Sequence, residues 1–230
     1  MMSEVSSPPP RFVLGSRSPR RRELLQQIVP AEQIEIVPPA SSEEAGFDGL
    51  TDWPSIRARM VDISRHKSTQ VRRQLGDRVE SSIVICADTS IVISEKQQLV
   101  LNADQECPLP GPLRVIGQPP ANEPRGETLR RWYHDYYAGR THIAATSLRI
   151  TGPQQRVHER IVTTQITFRS DMDPWFVWYV SSGEPQGKAG GYAVQGAGSV
   201  FMSSIVGSLT NVIGLPLEAL LEVFWDWGVL

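Results

Sequence analysis

The chain has 230 residues, of which 40% are hydrophobic and 21% charged, and its formal net charge is −2. These proportions suit a globular protein with a substantial core, built as one large domain or two small ones. The lack of a basic excess argues against a nucleic-acid polymer as partner, and no apolar run is long enough to cross a bilayer.

The opening MMSEVSSPPP lacks the basic start and apolar stretch of a signal peptide. Only Cys86 and Cys107 are present, too few for a disulfide framework or a cysteine zinc site. A cytoplasmic protein is the expectation, with Cys86 as a buried free thiol.

Residues 1–10, polar and proline-rich, read as a disordered tail. The run RFVLG, a polar break and a stretch with Leu24, Leu25 and Ile28 on one face predict strand, loop and helix. IEIV is a second strand, and PPASSEEAGFDGLTDWP a long loop. From Ser55 to Leu75 the spacing of Ile56, Met60, Ile63 and Lys67 predicts a helix. The β-branched runs SSIVICA and SIVIS predict strands separated at Asp88 and Thr89. Residues 94–114 read as an inserted loop.

Thr128 to Tyr137 should be a helix stopped by Gly139, with Trp132, Tyr133, Tyr136 and Tyr137 serving mainly as packing. HIAATSLRI and RIVTTQITFR should pair across TGPQQ. Asp173-Pro174 and Pro216 should each open a helix. No repeat is visible. Strands and helices without strict alternation predict a single α/β or α+β domain around a mixed sheet, spanning residues 11–230.

The stretch LGSRSPRRRELL holds the first chemical signal. Ser18 suits the N-cap and Pro19 the first helical position, so Arg20 and Arg21 fall in the first turn. Cations are unfavourable there unless an anion faces them. A phosphate cradle and a solvated basic helix start both fit the pattern. Asp88, between apolar runs, could bind a metal, act as a general base, or cap a turn with Thr89. Glu43 and Glu44 are either solvated surface or, for one of them, a ligand shared with Asp88 around Mg²⁺ or Mn²⁺. In GEPQGKAGGYAVQGAGSVF, glycines permit close approach to a ligand, Lys188 offers charge and Gln195 an amide. A glycine-rich hairpin loop without a ligand fits the same stretch. Lys67 alone would be a solvent lysine, and Arg140 and His142 turn residues.

Taken in order, LGSRSPRRRELL, ICADTSIVI, GRTHIAATSL, TFRS, GEPQGKAGGYAVQGAGSVF and GSLTNVIGLPLEAL resemble one family, the Maf-type nucleoside triphosphate pyrophosphatases, over nearly the whole chain from Arg11. The resemblance implies an α/β, ITPase-like fold with a nucleotide cleft between two lobes, often dimeric. It implies that Ser16, Arg20 and Arg21 hold a triphosphate, with Lys67 and Lys188 adding charge. Asp88 would be the central catalytic carboxylate and metal ligand, assisted by Glu44 or its neighbour Glu43, with Thr89 in the substrate site. Gln195 would help select the base, in the manner of the branch acting on dTTP and UTP.

Two departures stand out. The family lysine of a GKP motif is replaced by Gln118 in IGQPP, and the usual aspartate before the second lysine by Gly187. The implied reaction is metal-assisted attack of water on the α-phosphate, releasing a nucleoside monophosphate and pyrophosphate. The alternative is a nucleotide-binding regulator of cell division with weak or no catalysis, a reading that Gln118 favours.

Overall fold

The computed structural model describes residues 10–41, 45–96, 106–107, 109–120 and 126–229. The expected tail up to residue 9, residues 97–105 and 108 of the expected inserted loop, and the carboxylates Glu43 and Glu44 lie outside them.

Strand β1 (Arg11–Leu14) leads to helix α1 (Pro19–Leu25), which Ser18 caps by accepting from the Arg21 amide, with proline at the start. Strand β2 (Ile34–Ile36) lies parallel to β1. Helix α2 (Trp53–Leu75) is capped by Asp52 and buries Ile56, Met60, Ile63, Val71 and Leu75. It begins two residues earlier than its apolar spacing predicts, because Asp52 and Pro54 set its first turn.

The two β-branched runs form one continuous strand, β3 (Ser82–Ser94). Asp88 and Thr89 stand in its middle, paired with Ser147 and Thr146, and cap no turn. A polar pair looks like a break in a one-dimensional pattern. Here it is accommodated because each residue finds a polar partner across the sheet or from a helix.

Strand β4 (Leu113–Ile116) returns antiparallel against the end of β3, with Ser94 opposite Leu113 and Ile93 opposite Arg114. Ser94, Leu113 and Arg114 are therefore ladder residues, and the connecting segment is shorter than 94–114. Helix α3 (Glu127–Trp132) continues into a wider π-turn over Tyr133–Tyr137, and Gly139 follows at φ 65°. Then come β5 (Thr141–Thr151), β6 (Val157–Phe168), α4 (Asp173–Ser181), β7 (Met202–Val206), α5 (Leu209–Ile213) and α6 (Leu217–Asp226). Strand β7, which the sequence pattern does not reveal, forms an edge.

The seven strands make one mixed sheet in the order β2-β1-β3-β5-β6-β7, with β4 beside β3. β1 and β4 flank the same side of β3: β1 pairs with residues 82–85, β4 with 91–94. Between them β3 has a neighbour only on its β5 side, and Asp88 and Thr89 fall in this gap. Ligands in open α/β sheets settle at such points of divergence.

Alternation along β3 then sorts its side chains between faces. Val84 and Cys86 pack with Val71 and Leu75 of α2, while Ile83, Ile85 and Ala87 pack with Leu24, Leu25 and α6. Further along, Ile91 and Ile93 join an aromatic core of Tyr133, Tyr137, Phe168, Phe176, Tyr179, Tyr192 and Phe201. Cys86 is fully buried, and desolvation pushes its thiol pKa up to about 12. Among the described residues no helix is long and apolar enough to cross a membrane.

Candidate active site

A cleft of about 840 Å³ opens at the gap in β3. Arg20, Arg21, Lys67, Asp88, Thr89, Gln118, Lys188 and Gln195 all line it, so residues spread over most of the chain converge on one cavity.

Period-two alternation places Asp88 and Thr89 on opposite faces of β3. Asp88 faces α2, where Lys67 Nζ donates to its Oδ1 at 2.6 Å. Both side chains are only 13% exposed, so Lys67 is not a solvent lysine. Small buried residues let α2 cross closely here: Ser147 donates to Ser64 at 2.8 Å. Pairing is what makes a mostly buried carboxylate tolerable.

Thr89 faces α1. Arg21 Nη2 donates to its Oγ1 at 3.1 Å, and Thr89 and Thr146 hydroxyls meet at 2.9 Å. Arg21 also donates through Nε to the Gly214 carbonyl at 2.8 Å and through Nη1 to Ser16 Oγ at 3.4 Å. It lines the cleft while tying α1 to β3 and to the turn before α6. Ser16 is 7% exposed and accepts from the Ser18 amide at 3.1 Å, so it shapes the loop beneath the cavity and does not line it.

Arg20 makes no hydrogen bond or ion pair with any described residue, yet it is near enough to Lys188 to act on its titration. Burial holds the Lys188 ammonium below the usual lysine range; Glu184 pulls it back up and Arg20 pushes it down. Two cations from opposite ends of the chain thus share one cavity, an arrangement that an anion between them would relieve.

The glycine-rich segment is neither a hairpin nor a loose loop. It runs through short 3₁₀ turns at Ala189–Gly191 and Ala197–Phe201. Gly190 has φ 71°, and a Cβ there would come within 2.8 Å of both Ile91 and the Tyr137 hydroxyl, so only glycine fits. Tyr137 donates to the Gly190 carbonyl at 3.2 Å and Tyr179 to the Gly191 carbonyl at 2.9 Å. Gln118 and Gln195 are exposed at the cleft wall.

His142 is a fully buried strand residue, not part of a turn; its Nε2 lies 2.7 Å from the Tyr192 hydroxyl, and burial lowers its pKa to about 3. Arg140 donates to the carbonyls of Ser94 and Lys96, stapling the end of β3. Tyr133 and Tyr137 are core residues, as their spacing predicts.

Sequence reasoning passes over Asp48, Glu95, Arg114 and Tyr192, which also line the cleft. Arg114 and Glu95 form an ion pair across the β3–β4 ladder. The signal that could reveal them is the alternation of Leu113 to Ile116, hidden by its proline-rich flank.

Among the described residues no three His, Cys, Asp or Glu side chains converge as a metal site. A hard cation in a nucleotide site needs only one or two protein carboxylates, because phosphates and water complete its shell. Asp88, with one oxygen engaged by Lys67 and the other without a described partner, fits that role.

Fold and cavity together define an α/β protein with a cleft richer in cations than in carboxylates and with the Asp88–Lys67 pair in its floor strand, a site suited to a phosphorylated small molecule. The Maf-like protein family model matches residues 11–226, and the chain belongs to that family. A dTTP/UTP pyrophosphatase from Syntrophus aciditrophicus (strain SB) is 32% identical over 224 residues, covering 96% of this chain and 91% of its own. A dTTP/UTP pyrophosphatase from Thermococcus kodakarensis is 30% identical, covering 90% and 92%. A solved dITP/XTP pyrophosphatase from Mycobacterium abscessus aligns over 70% of this chain and 74% of its own, at 10% identity and TM-score 0.36, too slight a likeness to add to the assignment.

Proposed function

We propose that this protein hydrolyses nucleoside triphosphates, with pyrimidine substrates of the dTTP and UTP kind preferred, to a nucleoside monophosphate and pyrophosphate. The observation that carries the reading is one cleft lined by Arg20 and Lys188 together with the Asp88–Lys67 pair. The relatives named dTTP/UTP pyrophosphatase support the choice of substrate.

Arg20 and Lys188 bind the triphosphate and neutralise charge that grows on the departing pyrophosphate. Lys67 fixes the orientation of Asp88 through Oδ1. The second Asp88 oxygen takes a proton from the attacking water, whose oxygen forms the new bond to the α-phosphorus as the bond from that phosphorus to the oxygen bridging to the β-phosphorus breaks and pyrophosphate leaves. Arg21 and Thr89 keep α1 in register with β3, so that Arg20 meets the phosphates in a fixed position. Gln118 offers a neutral amide to the substrate, and Gln195 reads the base edge.

Asp88, together with Glu44 outside the described residues, would hold Mg²⁺ or Mn²⁺, which when bound supplies charge neutralisation and a more acidic water. A cytoplasmic homodimer belongs to the same reading, and sedimentation of the purified chain tests the assembly.

The central experiment incubates the protein with a panel of nucleoside triphosphates and Mg²⁺ or Mn²⁺, scoring pyrophosphate release. Fastest release from dTTP or UTP, lost with a chelator and restored by the cation, is the expected result. Saturable binding without products would support the non-catalytic regulator instead.

A further inference from the structure

Glu184 lies just after α4, and its two functional ends point to different parts of the glycine-rich segment. Its carboxylate accepts from the amides of Ala197, at 2.5 Å to Oε2, and Gly198, at 2.8 Å to Oε1. The Tyr179 hydroxyl, whose proton goes to the Gly191 carbonyl, lies 3.3 Å from the same Oε1. Its backbone carbonyl accepts from Lys188 Nζ.

The carboxylate thus occupies the start of the short turn that follows Gln195 and satisfies two of its amides, as a cap does for a helix. The fit is close: a Cβ on Gly196 would come within 2.3 Å of Oε2. On the other side of this peptide the Gly196 carbonyl accepts from Ser199 Oγ at 2.7 Å, while the Gly196 amide donates to the Ala193 carbonyl at 3.3 Å.

Resting on the nucleotide reading above, we infer that Glu184 is a positioning residue for base recognition, its carboxylate holding the backbone that presents Gln195 to the cleft. Its side chain and its carbonyl serve separate tasks. The carboxylate governs Gln195, which sets base discrimination; the carbonyl governs Lys188, which contacts phosphate. Side-chain replacement keeps the carbonyl, so the two tasks come apart experimentally.

Glu184→Gln retains one acceptor oxygen but turns an NH₂ group towards a backbone N–H, so one of the two bonds becomes a clash of donors. Gly196→Ala reaches the same end from the opposite side. Its Cβ displaces the mobile carboxylate end, and φ at this position is an ordinary −121°. Both variants are assayed with dTTP, UTP, dATP and dGTP under Mg²⁺, measuring kcat and KM separately. Kd values give the same ratios should turnover be undetectable.

The expected result is a loss of about tenfold in the dTTP over dATP preference in each variant, carried by a rise in KM for dTTP, with kcat changed by less than about threefold. The double variant should be no worse than either single one, because both remove the same interaction. Variants that keep native circular dichroism and the wild-type preference overturn the inference. So does a uniform fall in kcat for every base, the mark of a merely structural role. Should Glu184→Gln fail to fold, Gly196→Ala carries the test by the same criteria. Wild-type protein that neither cleaves nor binds any of the four sinks the proposed function itself, a result distinct from retained preference.

Discussion

On the side of α1 and α2 the cleft rests on aliphatic layers, with Leu14, Leu25, Ile85 and Leu148 in one cluster and Val71, Val84 and Cys86 in another. On the side of α4 it rests on rings: Tyr133 alone meets Tyr137, Phe168, Phe176, Tyr179 and Phe201 within 6.2 Å. The polar groups above each layer are held differently. Over the aliphatic layers, side chains on regular elements bind one another, as in Lys67 to Asp88 and Arg21 to Thr89. Over the rings, hydroxyls and a carboxylate bind the backbone of an irregular segment.

The difference follows from what each half must present. A catalytic carboxylate gains from the fixed pitch of a strand, and its pairing partner from that of a helix. A glycine-rich segment has no ladder of its own, so the amides and carbonyls that its own turns leave over are satisfied from outside, several of them by tyrosines and Glu184. One half is placed by secondary structure, the other by tertiary anchors.

The sharpest break in this comparison is expected at Asp88. Asp88→Asn keeps the shape and a hydrogen bond to Lys67 but weakens proton acceptance, and turnover should fall by about 10³-fold or more. Pyrophosphate release measures it, with a native circular dichroism spectrum marking an intact aliphatic half; wild-type turnover would remove Asp88 from the chemistry.

Gly190→Ala tests the ring-supported half. The positive φ and the 2.8 Å approach to Ile91 and Tyr137 should cost about 1–3 kcal/mol of stability. Chemical denaturation reads the cost as a lowered midpoint at constant slope. A midpoint matching the wild type would show that the segment relaxes freely.

The smallest effect sharpens the contrast through pH. His142 is neutral in the folded protein, its pKa lowered to about 3 by burial, whereas an unfolded histidine titrates near 6.5. Below about 6.5 the unfolded chain therefore binds the extra proton, and stability drops as pH falls towards 3. Between pH 7.5 and 6 the loss from this group should be about 0.8 kcal/mol. Denaturation of wild type and His142→Phe at both values isolates it: the variant should lack that increment, whatever its absolute stability. Equal pH dependence would contradict a neutral buried imidazole.

Much of the local structure was legible in short-range chemistry. Ser18 and Pro19 announce the start of α1, the spacing of Ile56, Met60 and Ile63 marks the buried face of α2, and Asp173-Pro174 opens α4. Each signal lies within a turn or two of the element it specifies. Most site residues were legible as types, since arginine at a helix start or a lysine among glycines already asks for an anion.

Other features depend on partners distant in the chain, and no local pattern carries them. That β3 runs unbroken through Asp88 follows from nine residues of pairing with β5. The cleft exists because β1 and β4 claim different halves of one edge of β3. Arg21 is bound to Gly214, 193 residues away, and the Glu184 carboxylate to amides 13 and 14 residues on.

By itself, then, the sequence determined most of the helical and extended segments, β4 and β7 excepted, and which side chains have chemistry to offer, because caps, periodicity and turn residues act over a few positions. Only the tertiary structure decided that Asp88 and Thr89 face opposite helices, that Arg20 and Lys188 share one cavity, and which groups anchor the glycine-rich wall. Those outcomes are set by strand register and by burial between remote segments, where a single residue's shift would turn every side chain to the other face.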